Sequence, residues 1–363
     1  MRILVAPDKF KGSLDAGSAA RAIARGLARV HPGAEILIRP IADGGEGFME
    51  TLHRGLPGVW ITCPAIDARG REISARYLVC DSPRGHVAVL ETAETAGIAR
   101  LAADERHPLT ATTRGIGMQI VHAVANYHVH RIYLGLGGSA TNDGGCGMAA
   151  AFGFRFLDAD GRDLGPLPAH LSRVAEIIAP AARSWPEIIA ACDVDHPLLG
   201  PRGATAVFGP QKGADPAQQV LLEDALTRVV EVTRAATAAT TPGAGAAGGL
   251  GFGLLHFTAA RLVSGFDLVA DLLGFDALVR EVDLVVTGEG SLDSQSLGGK
   301  GPVGLARMAA RDGVPVIACC GHADAAIREA GIFREIRALS DSGLPLEILL
   351  RDAAALLEGI AAG

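Results

Sequence analysis

Short apolar runs that break at glycine- and acid-bearing loops, each followed by a helical pattern, recur along this chain. Residues 2–6 are apolar, residues 8–13 form a polar loop, and residues 15–30 carry alanine-rich apolar positions at helical spacing. Residues 35–41 repeat the run and Ala42-Asp43-Gly44-Gly45-Glu46-Gly47 the loop, with a helical pattern continuing to Arg54. The order returns at 282–287, at the loop Gly288-Glu289-Gly290-Ser291-Leu292-Asp293, and in a helical stretch over 301–311. It returns again at 314–319, followed by Gly321-His322-Ala323-Asp324. Strands that are apolar throughout and alternate with helices predict a parallel, doubly wound sheet.

The middle of the chain differs. Residues 60–63, 76–80 and 86–91 read as consecutive strands with turns at Asp67-Ala68-Arg69-Gly70 and Asp81-Ser82-Pro83-Arg84-Gly85. Because the two ends share one pattern, the expected architecture is α/β with two domains. Residues 1–75 plus 286–363 would form a discontinuous Rossmann-like parallel-sheet domain, and 76–285 an inserted mixed α/β domain. Ligands of such sheets bind beyond the carboxyl ends of the strands, so the active site is expected in the cleft between the domains.

Composition narrows the function. At 363 residues, 49% hydrophobic and 20% charged, the chain is long enough for two cores and is globular. A net charge of −7 and only 4% aromatic residues argue against nucleic acid as a partner. Six cysteines without C-x-x-C or zinc-like spacing fit a reduced, cytoplasmic compartment. The apolar start is interrupted by Pro7 and Asp8, too soon for a signal peptide. Residues 235–260 lack charged side chains, but their alanine, threonine and glycine content and Pro242 argue against a membrane span.

Lysine usage is skewed. Only four of the 33 cationic side chains are lysines, and they lie in Pro7-Asp8-Lys9-Phe10-Lys11-Gly12, Gln211-Lys212-Gly213 and Gly299-Lys300-Gly301. A compact ammonium is a usual point-charge partner for phosphate, so these turns suggest an anion site.

The densest motif is Leu134-Gly135-Leu136-Gly137-Gly138-Ser139-Ala140-Thr141-Asn142-Asp143-Gly144-Gly145, between a strand and a helix. Successive glycines let amides curl around an anion, Ser139, Thr141 and Asn142 add donors, and Asp143 could hold magnesium or accept a hydroxyl. Residues 135–140 also match the dinucleotide fingerprint G-x-G-x-x-A, with Asp158 or Asp160 as the acid about 20 positions on. Residues 243–248 match G-x-G-x-x-G, but after a helical pattern, which suits either a backbone surface over a nucleotide or a flexible loop. The histidines show no metal-ligand spacing.

Seven acids, Asp8, Asp43, Glu46, Asp193, Asp195, Glu289 and Asp293, fall at or just beyond predicted strand ends. Some such positions are helix caps, but seven exceed what capping needs. Acids and lysines together meet the requirements of phosphoryl transfer, which are cations for phosphate charge and a carboxylate for the hydroxyl proton.

Ala6-Pro7-Asp8-Lys9-Phe10-Lys11-Gly12-Ser13 and the 42–47 loop resemble the bacterial glycerate kinases of glyoxylate and sugar-acid catabolism. Residues 137–145, Gly209-Pro210-Gln211-Lys212-Gly213-Ala214 and the 288–293 loop match the same family in order, so the resemblance covers essentially the whole chain. It implies ATP- and Mg2+-dependent phosphorylation of D-glycerate to 2-phospho-D-glycerate. The alternatives are a 3-phosphoglycerate product, an NAD-dependent hydroxy-acid dehydrogenase, or a sugar-acid sensor without turnover.

On that reading Lys9 and Lys11 neutralise the substrate carboxylate or the moving phosphoryl group. Residues 137–145 (Gly137, Gly138, Ser139, Thr141, Asn142 and Asp143) and Lys212 bind phosphates, with Lys300, Asp8 and Glu46 as further binding positions. Asp193 orients or deprotonates the hydroxyl. Asp43, Glu289 and Asp293 are the candidate magnesium ligands, and Asp43 is also counted as catalytic. Oligomeric state is left open.

Overall fold

The computed structural model describes residues 1–181, 185–294, 296–299 and 301–363. The fold is α/β, and the chain divides into two compact units. One comprises Met1–Asp43, Glu50–Leu56 and Ser264–Gly363; the other comprises Gly44–Met49 and Pro57–Val263.

The first unit contributes strands β1 (Arg2–Val5) and β2 (Glu35–Ile38). The second contributes β3 (Gly58–Ile66), β4 (Glu72–Ser82), β5 (Gly85–Glu91), β6 (Arg131–Gly135), β7 (Arg155–Leu157), β8 (Glu176–Ile178), β9 (Glu187–Ala191) and β10 (Arg261–Val263). The chain then returns to the first unit with β11 (Leu284–Thr287), β12 (Ser291–Leu292), β13 (Val316–Cys320), β14 (His322–Ala323) and β15 (Glu335–Ala338).

In the first unit the main sheet has the order β15-β13-β11-β1-β2, and each neighbouring pair is parallel. Successive residues of β1 serve opposite faces. Leu4 packs with Val285, Phe266 and Phe275, whereas Ile3 and Val5 pack with Ile23, Leu27 and Leu357. A sheet covered on both sides explains why these strands are apolar throughout. The helix Ala16–Val30 starts at Asp15, whose side chain accepts from the Ser18 amide at 2.9 Å. Gly26 admits the helix Ala353–Ala362, because a Cβ there would stand 2.2 Å from the Glu358 carbonyl oxygen.

The second unit holds the six-stranded sheet β10-β9-β6-β5-β4-β3. From β10 to β5 the pairs are parallel, and β4 and β3 extend the sheet antiparallel. That is the meander expected from the sequence, with longer strands. β7 and β8 form a separate antiparallel pair.

The sequence-derived boundaries at 75/76 and 285/286 fall inside β4 and β11. β3 pairs with β4 along its whole length, from Gly58–Cys80 to Ile66–Glu72, which ties the chain from Pro57 onward to the second unit. The helices Gly265–Leu272 and Phe275–Arg280 place Phe266, Ala270, Phe275 and Val279 in the core around Leu4 and Val285, which ties them to the first unit. Among the described residues no helix is long and apolar enough to cross a membrane; the uncharged 235–260 stretch contains the helices Ala236–Thr240 and Ala246–Thr258.

Candidate active site

In the first unit the loops leaving β1, β2 and β11 emerge at the carboxyl edge of one parallel sheet. The Asp8 amide donates to the Gly288 carbonyl at 2.8 Å, which joins the loop after β1 to the loop after β11. Asp8 is 4% exposed, and its Oδ1 accepts from the Lys9 amide at 2.6 Å. Lys9 Nζ lies 3.2 Å from Asp43 Oδ1. Across the third loop, Ser296 Oγ donates to Glu289 Oε1 at 2.9 Å, and the Ser296 amide donates to Asp293 Oδ1 at 3.3 Å.

The structure therefore brings Asp8, Lys9, Asp43, Glu289 and Asp293 into one cluster, and their charges interact. Burial pushes the Asp8 carboxyl up to about 7, with Lys9 opposing and Asp43 reinforcing the rise. Burial also pushes Glu289 up to about 7, against the Ser296 hydrogen bond and with the help of Asp8, Asp43 and Asp293. Lys11 is exposed, and Lys300 lies outside the described residues.

These acids are hard oxygen donors of the kind Mg2+ takes. Among the described residues no three Asp, Glu, His or Cys side chains converge tightly enough to hold a metal by themselves. Magnesium is ordinarily bound by one or two carboxylates together with phosphate oxygens and water, so the donor set fits that mode and not a dedicated cage.

In the second unit the glycine-rich loop after β6 is packed backbone to backbone. The Gly137 amide donates to the Gly44 carbonyl at 3.1 Å, and a Cβ on Gly137 would stand 2.4 Å from Gly45 Cα. The Leu136 amide donates to Ala191 at the end of β9 at 3.2 Å. Half-buried Asp193 follows two residues later, while Glu46 is exposed. Buried Glu91, at the end of β5, accepts from the Gly47 and Met49 amides, each at 3.2 Å.

Within the loop, Ser139, Thr141, Asn142 and Asp143 are buried, whereas Gly138 is exposed and Gly137 half-buried. Lys212, 2% exposed, donates from Nζ to the Thr141 carbonyl at 2.7 Å and to Ser139 Oγ at 3.0 Å. Burial pulls its ammonium down to about 7, with Asp143 opposing. Asp143 accepts from the Thr113 amide at 2.7 Å, Thr113 Oγ1 at 2.8 Å, the Gly145 amide at 3.0 Å and the Gly147 amide at 3.1 Å. Burial raises its pKa while these four bonds oppose the rise.

Lys212 and Asp143 thus hold the loop from inside, and the exposed point of the loop is Gly138. Thr113, Glu91 and Ser296 position the expected residues without standing in any recognisable motif. Their one sequence signal is proximity to a strand or helix end.

Neither dinucleotide fingerprint has the required setting. After residues 135–140 the helix begins only at Cys146. Asp158 and Asp160 sit in the turn that follows β7, outside the main sheet, where Asp158 Oδ1 accepts the Asp160 and Arg162 amides at 2.9 Å. The hydroxy-acid dehydrogenase alternative loses its support here. At the second fingerprint, the Gly248 carbonyl accepts from the Gly144 amide at 3.1 Å. A Cβ on Gly248 would stand 1.8 Å from the Thr141 carbonyl oxygen, so this segment is a packing surface for the glycine-rich loop.

Acids and a lysine at the ends of parallel strands, with a glycine-rich turn exposing backbone at its tip, are the features of a small-molecule kinase on an α/β fold. The family model described as "Glycerate kinase family" matches residues 3–363. The chain belongs to the glycerate kinase family. It is 40% identical to a glycerate kinase of Bacillus subtilis over 99% of this chain and 95% of that protein. It is 39% identical to the glycerate 2-kinase of Escherichia coli over 88% of this chain and 85% of that protein. A solved structure from Salmonella typhimurium LT2, assigned as a glycerate kinase 2, superposes with a TM-score of 0.83 at 36% identity, covering 100% of this chain and 96% of the other.

Proposed function

We propose that this protein transfers the γ-phosphoryl group of ATP to the 2-hydroxyl of D-glycerate, giving 2-phospho-D-glycerate. The observation that carries the reading is the cluster of Asp8, Lys9, Asp43, Glu289 and Asp293, in which Lys9 pairs with Asp43 and burial raises the pKa of Asp8 and Glu289. Phosphoryl transfer depends mostly on positioned charge, and such a cluster supplies it. The 2-phospho product is favoured by similarity to a relative named glycerate 2-kinase.

Each residue has a role on this reading. Lys9, assisted by exposed Lys11, offsets negative charge on the glycerate carboxylate or the moving phosphoryl group. The Gly138 amide, at the exposed tip, donates to a phosphate oxygen, while Gly137 is tied to the Gly44 carbonyl and Lys212, Ser139, Thr141, Asn142 and Asp143 hold the loop in shape. Asp193 orients the attacking hydroxyl and accepts its proton. One or two of Asp43, Glu289 and Asp293 would hold Mg2+ together with nucleotide phosphate oxygens and water, and a bound Mg2+ would neutralise phosphate charge.

An ADP-release assay with D-glycerate and Mg·ATP tests the activity. 31P NMR of the same mixture assigns the product, and a 3-phosphoglycerate signal would overturn the regiochemistry. No ADP release above the ATP-only control would overturn the function.

A further inference from the structure

We propose that Arg106 binds an anionic group of one of the two substrates, either a nucleotide phosphate or the glycerate carboxylate. This rests on the function proposed above and adds a residue that lies outside every motif of the sequence.

Arg106 follows the short 3-10 turn Ala103–Glu105 in the second unit. The adjacent Glu105, and Asp67 with which it shares Arg71, are already engaged by other arginines. Glu105 Oε1 accepts from Arg71 at 2.7 Å and Arg69 at 3.4 Å, and Asp67 Oδ2 accepts from Arg71 Nε at 2.6 Å. Arg106 has no carboxylate partner among the described residues. Its Nε is fully buried and has no hydrogen-bond acceptor. An arginine N–H in that state is unfavourable unless something else supplies the acceptor.

Its position shows which site such an acceptor would belong to. A Cβ on Gly213, where φ is +93°, would stand 2.6 Å from the Arg106 carbonyl oxygen and 3.2 Å from Arg106 Cβ. Gly213 thus lets the Arg106 backbone lie against the turn that carries Lys212, the lysine that holds Ser139 and Thr141. The chain on either side of Arg106 also packs on the glycine-rich loop, since Leu101 and Ala111 share a small apolar cluster with Ala140. A half-buried guanidinium without a counter-carboxylate, on a segment packed against the Lys212 turn and the glycine-rich loop, fits an anion ligand. Its planar fork matches a carboxylate or a phosphate in two-point contact.

The test compares full-length wild type with Arg106→Ala, Arg106→Gln and Arg106→Lys, reading kcat and both KM values by ADP release and the thermal midpoint in parallel. We expect Arg106→Ala to raise one KM about tenfold or more while the other stays within about twofold, with Arg106→Lys recovering part of the loss. A rise for ATP identifies the phosphate, and a rise for D-glycerate identifies the carboxylate.

Wild-type values for both KM in a folded variant overturn the proposal, as does a fall in kcat alone. If Arg106→Ala does not fold, Arg106→Gln keeps most of the stem and is judged by the same criteria. If the wild type itself does not turn over glycerate, the function has failed and Arg106 is judged separately, by calorimetric titration with ADP and with inorganic phosphate. Weaker binding of either probe by the variant then supports it, and equal binding overturns it.

Discussion

The Lys212 ammonium sits 2.7 Å from the carbonyl oxygen of Thr141, inside the protein, beneath the loop with which it was expected to bind phosphates. Truncating it leaves that carbonyl and the Ser139 hydroxyl without their donor. Lys212→Ala is expected to lower stability by about 2–4 kcal/mol and to reduce kcat/KM by at least about a hundredfold. Lys212→Arg should not restore activity, because a planar fork does not fit a space shaped for an ammonium. Denaturant unfolding and steady-state kinetics check both.

Burial of the same ammonium also fixes the sign of a pH effect. In the folded protein Lys212 gives up its proton near pH 7, whereas in the unfolded chain it keeps it up to its ordinary value of 10.5. The unfolded state therefore binds more protons across that window, and stability from this group rises with pH. The penalty is complete below 7 and relieved above 10.5. Wild type measured against Lys212→Met should gain stability between pH 7 and 9, with a slope of at most about 1.4 kcal/mol per pH unit. A flat difference would contradict it.

Thr113 Oγ1 donates to Asp143 and accepts from the Met148 amide at 2.9 Å. Thr113→Val keeps the shape and removes both bonds, leaving two buried polar groups short of a partner. A loss of about 1–3 kcal/mol is expected by chemical denaturation, with activity falling as the loop loosens.

Lys9→Ala removes the cation beside Asp43. We expect kcat to drop by about two orders of magnitude or more with little change in thermal midpoint, because the Lys9–Asp43 pair is partly exposed. Near-normal turnover in that variant would remove Lys9 from the mechanism.

At Gly248 the backbone has φ of +68° and no space for a side chain beside the Thr141 carbonyl oxygen. Gly248→Ala is expected to destabilise by about 2–4 kcal/mol, read by thermal and denaturant unfolding.

The strand-loop-helix pattern was legible because parallel strands buried on both faces leave continuous apolar runs and their loops need glycine. Asp8, Asp43, Glu289 and Asp293 were legible for the same reason, since each stands where an apolar run stops. The direction in which Lys212 points was not. A lysine between glutamine and glycine reads the same whether its head faces water or a carbonyl. Residues 243–248 show the same ambiguity, because glycines that admit a phosphate and glycines that admit another backbone are spelled alike. Thr113 and Arg106 stand in no pattern, as their surroundings are assembled from distant parts of the chain. The boundary near Pro57 was hidden because β3 alternates buried and exposed positions along an edge.

β1 and β11 are hydrogen-bonded neighbours, yet Thr287 Oγ1 reaches the Ala6 carbonyl across 281 positions of chain. During synthesis β1 emerges first and waits for the whole 57–263 segment before its partner exists. At roughly 5–20 residues per second that delay is on the order of tens of seconds. Only β2 and the helix Ala16–Val30 are available to it in the meantime, so one edge of β1 and its Leu4 face stay open. The nascent chain therefore carries an adhesive N-terminal hairpin-sized fragment through most of its translation. Any message that stops before codon 284 yields a product whose first unit cannot close.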